Sequence, residues 1–251
     1  MRTLVVPVFL LLIFVNPVYA QTDFRDGFII TLANDTLRGQ LDFRSNAKNS
    51  RSCLFRNDQG TREYTPDQIK AFGYVNDRFF SSEVVENAFV EVLVSGDISL
   101  FRYKDNFLIR KDRELVELEP GKKVNGEFGQ NHQVNDNKWR GILTYFISDC
   151  LPNPSAQVSR LGIREKDLTG LVTRYNRCRG NPFTENKSGK PWTKLEAGIG
   201  LGATFTNIRT NDTYGHFGYL EPVYTSIDPE IGGILTLSSP RIAENLAFQG
   251  E

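Results

Sequence analysis

The 251-residue chain has little of what most metal and catalytic centres are made from: two histidines, three cysteines and one methionine. His132 and His216 stand in polar stretches, and no CxxC pair or Cys/His cluster has the spacing of a zinc site, so no metal is expected. Charge of one sign is also lacking, because 30 basic and 30 acidic side chains cancel. A nucleic-acid partner is bound by a basic surface that displaces counterions, and none is expected here. Phosphate-binding signatures are missing too. Gly198-Ile-Gly200-Leu-Gly202 lacks the third glycine of GxGxxG, and the Gly-Lys pairs at 121–122 and 189–190 lack the other residues of a P-loop. The chain is expected to bind no nucleotide and no cofactor. No GxSxG or HExxH surrounds a serine or histidine, and acidic pairs such as Asp35 and Asp42 read as solvated carboxylates, not as a glycosidase dyad. The expectation is a protein that is not an enzyme.

Long apolar runs are almost absent as well. The exception is Leu4 to Val15, which follows Met1-Arg2 and leads to Val18-Tyr19-Ala20. A basic start, a short apolar stretch and small residues before a cleavage point describe a secretory signal peptide. The run is too short to cross ~30 Å of hydrocarbon as a helix. Residues 1–20 are therefore read as a signal peptide, and Gln21 in place of Cys makes a lipoprotein anchor unexpected.

What is present is β-rich. Phenylalanine and glycine are frequent, 18 and 21 residues, and residues 21–119 alternate short strand-like runs with Asn/Asp/Gly turns. FIITL and LRGQLDF flank Ala33-Asn34-Asp35-Thr36, and SCLFR and TREYT flank Asn57-Asp58-Gln59-Gly60. AFVEVLV, ISLFRY, FLIR and ELVELE continue as a meander, which predicts a small antiparallel sandwich or open barrel. Residues 120–137 read as a linker.

Two amphipathic helices are expected over residues 138–180. Trp139, Ile142, Leu143, Phe146, Ile147 and Cys150 share one stripe, with Pro152 and Pro154 behind it. Leu168, Leu171, Val172 and Tyr175 form another, started by Glu165 and Asp167 and ended by Gly180-Asn181-Pro182. Cys150 and Cys178 close these two helices, so they are either a bridged pair or two buried thiols; Cys53 reads as a lone core thiol. Residues 181–191 read as a second linker.

The clearest pattern comes last. Leu195, Ala197, Ile199, Leu201, Ala203 and Phe205 alternate with Lys194, Glu196, Gly198, Gly200, Gly202, Thr204 and Thr206. One face is apolar and the other small or polar, over the length a transmembrane strand requires, and Trp192 stands where barrels carry interfacial aromatics. Residues 207–228 read as a long polar loop, EIGGILTLSS as a weaker second strand, and Leu246, Phe248 and Gly250 as a third. The expected fold class is mainly β with a helical pair: a small antiparallel β domain, two amphipathic helices, then the first strands of a transmembrane β-barrel. That barrel is incomplete over residues 192–251, because closure takes at least eight strands, and the reading is of a chain truncated within it. A soluble exported module that uses its β domain for binding is the alternative.

This layout resembles that of outer-membrane proteins from Bacteroidetes-type bacteria whose barrels are similar to the PorT-like family. The motifs that carry the resemblance are YTPDQIKAFGYV, DISLFRYKDNFLIRKDRELVELE, ILTYFISDC, DLTGLVTRYNRC and KLEAGIGLGATF. It implies a periplasmic N-terminal domain and contact with outer-membrane lipid, envelope proteins as partners, and a structural or transport and secretion-accessory role. In that pattern cysteines recur at the two helix ends, matching Cys150 and Cys178.

Overall fold

The computed structural model describes residues 23–119, 123–125, 131–133, 138–209, 223–241 and 243–250. Residues 1–20, expected as a signal peptide, and His216 lie outside the described residues. The chain divides into two units, residues 1–186 and 187–251.

The first unit is built on ten antiparallel strands: β1 (Phe24–Thr31), β2 (Thr36–Asp42), β3 (Cys53–Asn57), β4 (Gly60–Tyr64), β5 (Ile69–Tyr74), β6 (Phe79–Val85), β7 (Ala88–Ser95), β8 (Ile98–Tyr103), β9 (Asn106–Lys111) and β10 (Glu114–Leu118). Their spatial order is β10-β9-β8-β7-β6-β5-β1-β2-β3-β4, a single sheet and not two packed ones. The hairpin turns use the residues that tolerate left-handed backbone: Asn34, Asn76, Asn87, Lys104 and Asp112 have φ between 54° and 70°, and Gly60 has φ 122°. Strand β6 has no counterpart in the sequence reading. It opens on two adjacent phenylalanines whose rings go to opposite faces, Phe80 to the aromatic core below and Phe79 to the other side.

Strand β7 is covered on both faces, and its alternation sorts the cores. Phe89 belongs to an aromatic cluster with Phe55, Phe72 and Phe80, and Leu93 belongs to a second cluster with Leu100 and Ile109. Glu91 points the same way, between the two, and is 1% exposed. Val90 and Val92 face the other side with Phe101 and Leu108. The aromatic cluster is close-packed, with Phe72 stacked on Phe80 at 4.7 Å and edge-on to Phe89 at 4.9 Å. A short helix, α1 (Asn46–Asn49), follows β2, and the carbonyl of Ser50 behind it accepts the N–H of Phe89 at 2.9 Å. This segment thus crosses the inner face and caps the aromatic core.

Beyond the sheet, β11 (Lys123–Asn125) and β12 (Asn131–Gln133) pair with each other, within the stretch expected as a linker, and His132 lies on β12 opposite Val124. Helices α2 (Lys138–Ile147), α3 (Pro154–Ser159) and α4 (Glu165–Arg179) follow. The expected stripes are those buried: Trp139, Leu143, Phe146 and Ile147 from α2, with Leu168, Leu171, Val172 and Tyr175 from α4, share one core with β7 to β10. Pro154 opens α3, where its missing N–H costs nothing. Gly180, at φ 77°, ends α4 in the left-handed conformation that glycine adopts freely. Asn176 pins α4 to the sheet. Its Oδ1 accepts the N–H of Ile98 at 3.0 Å and its Nδ2 donates to the Ile98 carbonyl at 2.8 Å. A side chain at Gly96 would meet Asn176 at 2.7 Å, so this turn needs glycine. The stretch expected as a second linker carries β13 (Thr184–Glu185), which pairs with Ser95 and Val94 of β7.

Cys150 and Cys178 are bridged, with Cα atoms 6.1 Å apart. Packing of the two apolar stripes against one sheet brings the helix ends together. A polar clasp lies beside the bridge: Lys111 pairs with Asp149 at 3.0 Å and Tyr175 donates to Asp149 at 3.0 Å. Burial pushes the Asp149 carboxyl up, but hydrogen bonds from Lys111 and Tyr175 outweigh it and hold the group below its ordinary range. The bridge spans 28 residues, for which loop-closure entropy gives about 2–4 kcal/mol. Cys150→Ser with Cys178→Ser is expected to lower unfolding stability by that amount in urea melts, and added reductant should then have no further effect.

The second unit is a three-stranded antiparallel sheet, β14 (Lys194–Arg209), β15 (Val223–Ser239) and β16 (Ala243–Gly250), in that order.

Candidate functional site

Strands β14 and β15 pair without a break from Lys194↔Ser238 to Arg209↔Val223. Directly opposed residues share a face. The register therefore puts Leu195 beside Leu237, Leu201 beside Ile231 and Phe205 beside Ile227, and β16 adds Phe248 beside Leu237. All six sequence-expected lipid-facing residues, Leu195, Ala197, Ile199, Leu201, Ala203 and Phe205, lie on this one face and all are exposed. The large apolar side chains among them and on β15 and β16 range from 46% exposed at Leu237 to 81% at Leu201. From Leu195 to Phe205 the band runs ~34 Å along the strand, or ~26 Å at a tilt of ~40°, close to the ~25 Å apolar belt of outer-membrane barrels.

The other face is polar and shallow. Lys194 pairs with Glu196 at 2.7 Å, Thr204 donates to Glu230, and Ser226 donates to Asp228 at 2.9 Å. Between these groups lie Gly198, Gly200, Gly202 and Gly232, and Ile234 lies across the first two. Trp192 sits at the end of the sheet beside the Pro240-Arg241 turn. Its carbonyl accepts from the Ser239 hydroxyl at 2.6 Å, and the Arg241 guanidinium stacks on its ring at 4.2 Å.

Part of this face was not anticipated. Residues 207–228 were expected as a loop, yet β14 continues to Arg209 and β15 begins at Val223, which adds Ile227 to the apolar face. The overlooked signal is the alternation Ile227, Ile231, Leu235, Leu237, interrupted by a proline. Among the described residues β16 pairs only with residues 235–239 of β15, so no described strand on that side asks Pro229 for a backbone N–H.

The described residues hold no group of three or more His, Cys, Asp or Glu able to bind a metal. No helix among them is long and apolar enough to cross a membrane, a fact that does not bear on crossing by strands. Cys53 is a buried thiol whose burial pushes its pKa up to about 12, which makes it unreactive at neutral pH. No protein family, curated protein or solved structure matches this chain.

Proposed function

We propose that residues 192–250 form part of an outer-membrane β-barrel and that residues 23–186 are its periplasmic domain, in an exported protein with a structural or transport and secretion-accessory role. The observation that carries this reading is the apolar face shared by β14, β15 and β16, exposed over a band that would span ~26 Å at a tilt of ~40° and backed by a polar, glycine-rich face. Such a face in water would be an aggregation hazard, whereas in a bilayer acyl chains solvate it. The reading requires strands beyond these three, since an open edge cannot be left in hydrocarbon. Trp192 with Arg241 then marks an interface, an aromatic ring and a cation being the anchors of that depth.

The test uses nitroxide labels on single cysteines at Leu201, Ile231, Thr204 and Glu230 of the intact gene product in vesicles. Cys53 is buried and the other two cysteines are bridged, so the introduced thiols are the ones labelled. Labels at Leu201 and Ile231 are expected to be accessible to oxygen and shielded from a water-soluble nickel complex, with the reverse at Thr204 and Glu230. Nickel access at all four would replace this reading with that of a soluble exported module.

A further inference from the structure

Val90, Val92, Phe101 and Leu108 form a cluster on the side of the sheet away from the helix-covered core, to which no described helix residue contributes, and β6 and β13 leave a cleft in it. Pairing of β6 with β7 runs from Val85↔Ala88 to Phe80↔Glu91, and β13 takes up the same edge of β7 only at Val94. The backbone in the gap is already satisfied, because Asn186 donates from its side chain to the Val92 carbonyl at 2.7 Å and from its N–H to the Leu93 carbonyl at 3.0 Å. What remains open is a groove of about 540 Å³, floored by Val92 and Phe101 and walled by Phe79 and Val84. Its volume lies within the ~300–1,000 Å³ of small-molecule sites.

Charge enters the groove unevenly. At one end Lys70 donates to Asn34 at 2.7 Å and lies 3.8 Å from the exposed carboxylate of Glu83, so its charge is offset. At the other end the Arg110 guanidinium stacks over the Phe101 ring at 5.0 Å and, among the described residues, has no hydrogen bond or ion pair. Ser95 and Thr184, which face each other across the β7–β13 pairing, bring hydroxyls to the lining. Between Arg110 on β9 and Ile30 on β1 the groove crosses six neighbouring strands, ~24 Å. That span suits an extended chain better than a compact ring.

We propose that this groove binds a single-chain aliphatic carboxylate, with its carboxylate on Arg110 and its hydrocarbon laid over Phe101, Val92 and Phe79. The site is separate from the apolar face of β14 to β16, and the test tells the two apart.

Dodecanoate carrying a diazirine at its tail is photolysed with the purified full chain, and adducts are mapped by mass spectrometry. Adducts are expected on the peptide spanning Phe79–Val84. Dodecanoate should compete for them at least tenfold better than dodecanol or dodecyltrimethylammonium, as a charge-assisted contact requires. Arg110→Glu, an exchange at a half-buried surface position, should reduce labelling there about tenfold or more with an unchanged circular-dichroism spectrum, and Ser81→Trp should fill the groove and do the same. Adducts found only between residues 195 and 248, equal competition by the alcohol, or native labelling of Arg110→Glu would each overturn the proposal.

Discussion

In the proposed barrel, Ile199→Arg combined with Leu201→Arg is expected to abolish stable insertion into the bilayer. The two positions flank the middle of the apolar band from Leu195 to Phe205, where a lipid-facing arginine costs about 2–4 kcal/mol, so the pair costs about 4–8 kcal/mol. That is comparable with the whole stability of an ordinary domain, about 5–15 kcal/mol. Both side chains are about 80% exposed. On a sheet face wetted by water, the same exchange would change stability by about 0.5 kcal/mol or less at each position. Thr204→Arg, on the opposite face, is the control and should leave insertion intact. Urea unfolding in vesicles, with the yield of membrane-inserted protein, measures all three. Normal insertion and stability of the double variant would remove lipid as the solvent of this face.

Arg102→Met is expected to destabilise the first unit by about 3–5 kcal/mol, the range found when one partner of a buried ion pair is removed. Arg102 is shared by two acids from distant parts of the chain. Its Nε and Nη2 donate to Glu91 Oε2 at 2.9 and 2.5 Å, and its Nη1 donates to Glu165 Oε2 at 2.7 Å. Glu91 is 1% and Glu165 8% exposed, so neither carboxylate can turn to bulk water when the guanidinium is lost. Asn46 also donates to Glu91 Oε2 at 3.1 Å, and its Oδ1 accepts from Arg78, which lies over the Phe43 ring at 4.0 Å. This polar seam runs between the aromatic core and the helix-covered core and ties α4 to β7 and β8. The triple variant Arg102→Met, Glu91→Met, Glu165→Leu should regain most of the loss, because apolar groups of similar volume fill such a site at little or no cost. Urea melts of the native chain and both variants decide the matter. A loss below 1 kcal/mol in the single variant would show that the seam is solvated.

Much of the local structure was legible in the chain. The hairpin at Asn34, the stripes Trp139 to Ile147 and Leu168 to Tyr175, the stop at Gly180 and the alternation of Leu195 to Phe205 are periodicities and turn chemistries. Each is set by neighbours within about a dozen residues. Strand β6 was hidden because its two phenylalanines serve opposite faces, and β15 was shortened because a proline reads as a breaker until its strand pairing is known. The two-residue β13 has no pattern of its own and exists only because β7 offers an edge there.

By itself the sequence determined most strands of the first unit, the helices α2 and α4 and the sidedness of β14, since side-chain direction follows from backbone periodicity alone. Tertiary structure decided which strand lies beside which, as when β5 pairs with β1 and not with β4. It also placed Glu91, Arg102 and Glu165 in one buried seam and stacked a guanidinium on Phe101 at the mouth of a groove. Those arrangements depend on contacts between residues far apart in the chain, and a local pattern carries no record of the partner a charge will meet once water has been excluded.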